Sequence, residues 1–355
     1  MEHRVSLLSF LALLICAQIS SIARAGEDSG TSESPNTYRI EIPEAIAHSP
    51  RVGQFVRLLT QREKSTIRQA LARSGAYLPA MTQIFREEGL PEDLLYLCLI
   101  ESEFSPHANS STNTSGLCQF TQTTGLRYGL KINSWLDERR DPIKSTRAAA
   151  TYLRDLHSQF KEWLLVVAAF NAGESSVKAA LNKLGKQTLP LLKTAFLKPA
   201  TEDFVARFVA SAIISRTPDS YGFEGIAYDD ELQFDEVLIK EPLGLSKIAE
   251  LAETTVDALK QLNPALLKDS VPPQSDPFPF RLPSGKAELF IRSYSNLADT
   301  EQHLPSTHLV KAGDTLWQIA RQYGVSVEQL IKLNRLEGSR LQIGQRLIVG
   351  SGSES

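Results

Sequence analysis

The sequence predicts a mainly α-helical protein, a helical domain followed by two small units that mix helix and strand. Three observations lead there. From about residue 51 to 222 apolar positions recur at helical spacing between helix-start signals; past "DSYGFEG" that pattern gives way; and one segment then recurs at a fixed offset. At 355 residues the chain exceeds one ordinary domain. A formal net charge of -3 excludes nucleic-acid binding driven by bulk charge.

Taken in order, residues 1–25 carry His3 and Arg4, the apolar run "VSLLSFLALLICAQI", and Ala23-Arg24-Ala25 as a small-residue cleavage site, which together read as a secretory signal peptide. No later stretch is apolar for the roughly 18 residues a span requires, so the mature chain is expected to have no transmembrane segment. Cys16 lies inside the apolar run. Ile15 before it is a poor small-residue neighbour for lipoprotein processing, so Cys16 reads as an ordinary signal-peptide cysteine, with lipidation as the alternative. Residues 26–50 open with "GEDSGTSESPNTY", short of large apolar side chains, and are expected to be a flexible leader.

The helical domain is expected over 51–225, roughly 170 residues and ample for a core of its own. Pro91, Glu92 and Asp93 open one helix, and Asp141-Pro142 caps and starts another over "IKSTRAAATYLRDLHSQF". The informative stretch is "EDLLYLCLIESEF". An unbroken apolar run over 94–100 delivers Glu101 into a polar, turn-rich loop. A carboxylate at the edge of a core loses solvation, which disfavours its charged form and suits it to donate a proton near neutral pH. The plain alternative is a surface charge at a fraying helix end. Glu103, roughly 200° further around a helix, reads as solvated. "DERRD", 137–141, reads as an ion-pair loop.

The repeat comes next. "LSKIAELAETTVDALKQLNP" from Leu245 overlays "LWQIARQYGVSVEQLIKLNR" from Leu316 without a gap, an offset of 71 that pairs Ile248 with Ile319, Ala249 with Ala320, Leu259 with Leu330, Leu262 with Leu333 and Asn263 with Asn334. Each copy has the spacing of two short helices sharing an apolar face, followed by a strand-like segment. The boundaries expected are 234–285 and 307–350. The second copy, with Gly313-Asp314-Thr315, Leu333-Asn334 and Ile343-Gly344-Gln345, resembles the LysM module, a βααβ unit that binds N-acetylglucosamine-containing glycans. The resemblance implies a glycan held between the loop around Gly313, Asp314, Thr315 and Leu316 and the loop ending at Ile343 and Gly344. The first copy lacks the Gly-Asp-Thr turn, gains "SVPPQSDPFP", and resembles a degenerate LysM.

In the helical domain, "ESEFSPHANSSTNTSGLCQFTQTTGLRYGL", "DERRDPIKSTRAAATYLRDL" and "AAFNAGESSVKAAL" resemble, in order and spacing, the transglycosylase SLT domain of membrane-bound lytic murein transglycosylase D-type proteins. What the resemblance implies is a lysozyme-like helical fold acting on peptidoglycan strands, with Glu101 as the single catalytic acid and base. Ser110 is implied to orient the substrate, and Gln119, Phe120, Phe170 and Asn171 to line the saccharide cleft, with a core position as the equal alternative for Phe120. Glu101 would protonate the oxygen between N-acetylmuramic acid and N-acetylglucosamine, then take the proton of the muramic acid's C6 hydroxyl, leaving a 1,6-anhydro end without metal or cofactor. Location in the periplasm or cell envelope is implied, with association at the outer membrane as an option; protein partners are not.

The chain departs from the family pattern at Cys118, Phe170, Ala200, Phe204 and Asn113-Thr114. Phe204 replaces a tyrosine, whose hydroxyl is worth about 1 kcal/mol as a hydrogen bond. Two other readings therefore stay open, a catalytically impaired peptidoglycan-binding pseudoenzyme and a hydrolytic muramidase. Export leaves Cys98 and Cys118 as an even pair in an oxidising compartment, a candidate disulfide tying the Ser110 loop beneath Glu101, with two free core thiols as the alternative. The sequence has no zinc-type cluster of Cys and His, and no metal site is expected.

Overall fold

A helix apolar on all sides sets the centre of the first domain. Residues Trp163–Ala172 (α7) bury Leu165, Val166, Val167, Ala168 and Ala169 completely, on all sides, as a helix without a polar face must. Around it pack Pro142–Phe160 (α6), Glu174–Leu184 (α8) and Pro199–Arg216 (α9). Alanines facing the contacts, Ala149, Ala150, Ala206 and Ala210 among them, are fully or almost fully buried and let the backbones approach. The computed structural model describes residues 39–184, 197–274, 276–295, 307–323, 325–334, 336 and 338–349. The expected signal peptide, with Cys16, and the leader as far as residue 38 lie outside the described residues.

The rest of that leader is a correction. Residues 39–50 are built into the fold: Ile40 is buried, its backbone N–H donates to Asp93 Oδ2 at 2.7 Å, and its carbonyl accepts from Arg216 Nη2 at 2.9 Å. Asp93 is 3% exposed and receives Arg216 through both Nε and Nη2, so one ion pair joins Ile40, the segment after Pro91 and α9. Short helices Glu44–Ala47 (α1) and Pro50–Arg57 (α2) follow; Ser49 caps the latter, and Arg51 pairs with Glu202 of α9. A π-turn over Leu58–Arg62 leads into the long helix Lys64–Glu87 (α3).

The run that was expected as one helix from Pro91 is a 3-10 segment, Glu92–Tyr96, followed by Leu97–Ser102 (α4), with Gln122–Arg127 (α5) beyond the loop. Pro91 stays extended at ψ 129°, and the tighter winding after it turns Leu94, Leu95, Leu97 and Leu99 into the core together.

The repeat emerges as two small antiparallel pairs. Phe234–Ile239 (β1) pairs with Phe278–Pro283 (β2), Val237 opposite Phe280, around Leu245–Leu251 (α10) and Val256–Leu262 (α11). Thr307–Leu309 (β3) pairs with Arg346–Ile348 (β4), His308 opposite Leu347, around Leu316–Tyr323 (α13) and Val327–Leu333 (α14). The polar residue shared by the two copies explains itself here. Asn263 donates to the carbonyls of Leu259 and Arg281 and accepts the Arg281 N–H; Asn334 donates to Leu330 and Ile348 and accepts the Ile348 N–H. One amide thus clamps second helix to last strand in each copy. The first copy runs past its expected end at 285: Ala287–Ser295 (α12) packs Phe290, 1% exposed, onto the same core.

The first copy is not a free bead. Leu136 of the catalytic domain lies in its apolar core with Val237, Ile239, Leu245 and Phe280, and Trp135 packs beside it. Asp137 N–H donates to Ala265 O at 2.9 Å, Leu267 N–H to Trp135 O at 2.8 Å, and Arg281 pairs with Asp141, the N-cap of α6, at 3.0 Å.

Replacing the buried clamp residue as Asn263→Leu removes three hydrogen bonds and strands the Arg281 backbone groups. The expected loss is about 2 kcal/mol or more of stability for this module. Thermal unfolding of the variant beside the parent chain checks it; an unchanged midpoint would show the clamp to be idle.

Candidate active site

Glu101 stands one residue before the end of α4, whose other residues Leu97, Cys98, Leu99 and Ser102 are buried against α3 and α9. The carboxyl is half-buried, and burial alone raises its pKa to about 7. That is the condition a proton donor needs at neutral pH.

The helix ends abruptly after it. Glu103 and Phe104 are both left-handed, at φ 53° and 55°, with Phe104 N–H reaching back to Cys98 O and Glu103 N–H to Leu99 O. Two consecutive non-glycine residues in this region are costly, on the order of 1 kcal/mol or more each. Burial of Phe104, fully inside, and two hydrogen bonds from Arg73 to Glu103 O hold the turn. The Glu103 side chain itself is exposed, as expected.

The loop that follows is tied back on itself. Ser110 Oγ accepts the N–H groups of Thr112 and Thr114 and lies 2.7 Å from Thr114 Oγ1, which bonds Gln119 Oε1 at 2.6 Å. Gln119 Nε2 donates to the carbonyls of Ala108 and Gly116. Ser110, Thr114 and Gln119 therefore form one chain of hydroxyl and amide groups. The serine hydroxyl serves the loop's own geometry, and Thr114, a departure from the family pattern, makes the link. Ser102 fastens the loop to α4 by donating to Leu117 O at 2.8 Å.

Aromatic rings form a second group. Tyr152 of α6 lies between Phe120, 6.4 Å away, and Phe170, 5.7 Å away, with Tyr128 at 5.0 Å on its other side. Phe170 is half-buried at the end of α7, and Asn171 beside it is exposed. Of the two readings of Phe120 the structure favours core: it is 3% exposed, and Tyr152 and Tyr128 are the aromatics nearer the surface. Sequence reasoning missed both tyrosines. They lie within the family motifs, but no spacing rule marks a tyrosine in "ATYLRDL" as more than helix packing.

The cysteine pair is brought together without being joined. Cys98 and Cys118 are free, buried thiols with sulfurs 3.5 Å apart, so the disulfide considered from sequence is absent from this structure. The contact with Cys118, then burial, pushes the Cys98 thiol well above its ordinary pKa.

In the C-terminal module, Asp314 and Thr315 are occupied by the fold. Asp314 Oδ2 accepts the Lys311 N–H and meets His308 Nε2, each at 2.7 Å, and Thr315 Oγ1 accepts from the Gln318 N–H. Leu316, 3% exposed, is core and offers no side chain to a glycan. Gly313 and Gly344, at φ 91° and 86°, make the two turns. The apolar groups presented outward are Ile343, 74% exposed, Trp317, 60% exposed, and Leu309 of β3, 52% exposed. Trp317 was overlooked, although the repeat held the signal: its counterpart 71 residues earlier is Ser246, so the position is not needed for packing.

Comparison with known proteins agrees with this geometry. A family model described as the transglycosylase SLT domain matches residues 82–189, one for the LysM domain matches 308–350, and one for the lytic transglycosylase MltD LysM-like domain matches 233–299. The class is therefore a lytic transglycosylase with LysM-type modules. Membrane-bound lytic murein transglycosylase D of Escherichia coli strain K12 is 32% identical over 312 residues, 83% of this chain and 68% of that one. The chain belongs to the membrane-bound lytic murein transglycosylase D family and is a peptidoglycan lytic transglycosylase. An autolysin of Enterococcus faecalis is 42% identical over 55 residues, 16% of this chain and 8% of that one. The 70 kDa soluble lytic transglycosylase of Escherichia coli superposes on 53% of this chain and 34% of its own, at 15% identity and a TM-score of 0.38. Among the described residues no helix is long and apolar enough to cross a membrane.

The raised pKa of Glu101 has a measurable sign. Between its ordinary value of 4.5 and about 7, the folded state binds more protons than the unfolded one, so stability falls as pH rises through that window. Glu101→Gln removes the cost. The variant is expected to exceed the parent in stability by about 3 kcal/mol at pH 8 and by nothing at pH 4, measured by denaturant unfolding at both values.

Proposed function

We propose that Glu101 is the acid and base of this enzyme and that it forms 1,6-anhydro-N-acetylmuramic acid ends. The observation that carries the reading is a single half-buried carboxyl, raised to about 7, at the mouth of the loop bearing Ser110 and Gln119. A protonated Glu101 gives its proton to the glycosidic oxygen as the C1–O bond breaks. The resulting carboxylate takes the proton of the C6 hydroxyl as its oxygen bonds to C1, which restores the acid. One group performs both transfers in turn, and the attacking hydroxyl is already part of the sugar, an advantage of proximity over bulk water. Gln119, Asn171 and the Phe170–Tyr152 surface are assigned to the saccharide. The turn at Gly313, with Ile343 and Trp317, is assigned to glycan retention by the C-terminal module. The expected signal peptide supports action in the periplasm or cell envelope.

Mass spectrometry of digested sacculi tests the chemistry. The parent chain should release anhydro-muropeptides, with kcat/KM falling above pH about 7 as Glu101 loses its proton. Glu101→Gln should lower release by at least about a thousandfold, the order expected for a proton-transfer group, while still binding sacculi. Reducing ends in place of anhydro ends would overturn the intramolecular route, and full activity in the variant would overturn the residue.

A further inference from the structure

The buried loop between α5 and α6 joins two parts of the molecule that the function described above treats separately. On one side, Arg139, 5% exposed, donates through Nη1 to the carbonyls of Asn113 at 2.8 Å and Phe120 at 3.1 Å, the two flanks of the Thr114–Gln119 segment. Gly116 lies so close that a Cβ there would stand 1.7 Å from Arg139 O, and its φ is 81°. On the other side, Arg139 Nε and Nη2 hold both oxygens of Asp137, 2.8 and 2.7 Å away, whose own N–H belongs to Ala265 of the first LysM-like copy. Leu136, one residue earlier, is part of that copy's core.

The copy's own loops are joined to each other. Leu245 N–H donates to Asp269 O, Val271 N–H to Leu243 O, and Gly244 bridges to Ser270, so the first loop and the loop before the last strand are zipped together. The latter loop is also the one that residues 135–137 bond through Ala265 and Leu267. The backbone groups of both loops are thus engaged within the chain.

We infer that the first LysM-like copy is a brace for the active site, acting through Leu136, Asp137 and the positioning residue Arg139 on the loop that carries Ser110 and Gln119. A guanidinium is required at 139, because four donors must point in fixed directions to two carbonyls and a carboxylate; an ammonium reaches fewer of them. The inference rests on assigning residues 108–120 to the saccharide, but its test reads the loop directly.

Hydrogen exchange of the full chain, compared for the parent, Arg139→Lys and Leu136→Ala, decides it. Backbone amides of 110–119 are expected to exchange at least tenfold faster in both variants while those of α9 keep their rates, and kcat on sacculi should fall at least fivefold with sacculus binding retained. Faster exchange spread equally over α6, α9 and the loop would reduce Arg139 to a general stabiliser and overturn the inference. So would unchanged loop exchange in Leu136→Ala, or a loss of sacculus binding in that variant, which would return the copy to glycan recognition.

Discussion

The structure depends on keeping one carboxyl out of water without giving it a charge partner. An ion pair at Glu101 would restore its ordinary acidity, and full exposure would do the same; burial beside apolar neighbours is the arrangement that leaves a proton available near pH 7. Much of the surrounding architecture follows. The 3-10 start after Pro91 turns consecutive leucines inward, the left-handed pair Glu103 and Phe104 stops the helix at the core's edge, and the packing of α4 against α3 and α9 fixes the carboxyl's depth. Charges elsewhere in the domain are paired in their own networks, Asp93 with Arg216, Asp137 with Arg139 and Glu138 with Lys144.

The loop that follows Glu101 is held in three ways: by Ser102 of α4, by Arg139, and by its own Ser110–Thr114–Gln119 chain. The first two end on backbone carbonyls, the third on the Ser110 hydroxyl and the Gln119 amide. Rigidity here is therefore shared between hydrogen bonds to the main chain, which tolerate a change of side chain at 113, and the Thr114 hydroxyl, which does not.

That also explains what was legible in the sequence. Glu101 could be found because an apolar run ending in a carboxylate is a pattern of residue types, and the repeat because Asn263 and Asn334 recur in register. The role of Arg139 was not legible beyond an ion-pair loop, since its targets are carbonyls that any residue supplies. The docking of residues 39–50 escaped notice for a like reason: the tie is made by the Ile40 backbone to Asp93 and Arg216, far along the chain. Leu316 shows the reverse error. Family position marked it as a contact residue, while its environment makes it core.

The asparagine clamp has an implication for how such chains are inherited. It sets the frame of each copy by joining second helix to last strand, independent of the loops at the module's end. With the frame secured, the loops were free to diverge, and the first copy took Leu136 of its neighbour into its core. A module in that condition has lost its portability: recombination that moves it without the 133–137 segment leaves a hole in one partner and an exposed leucine in the other.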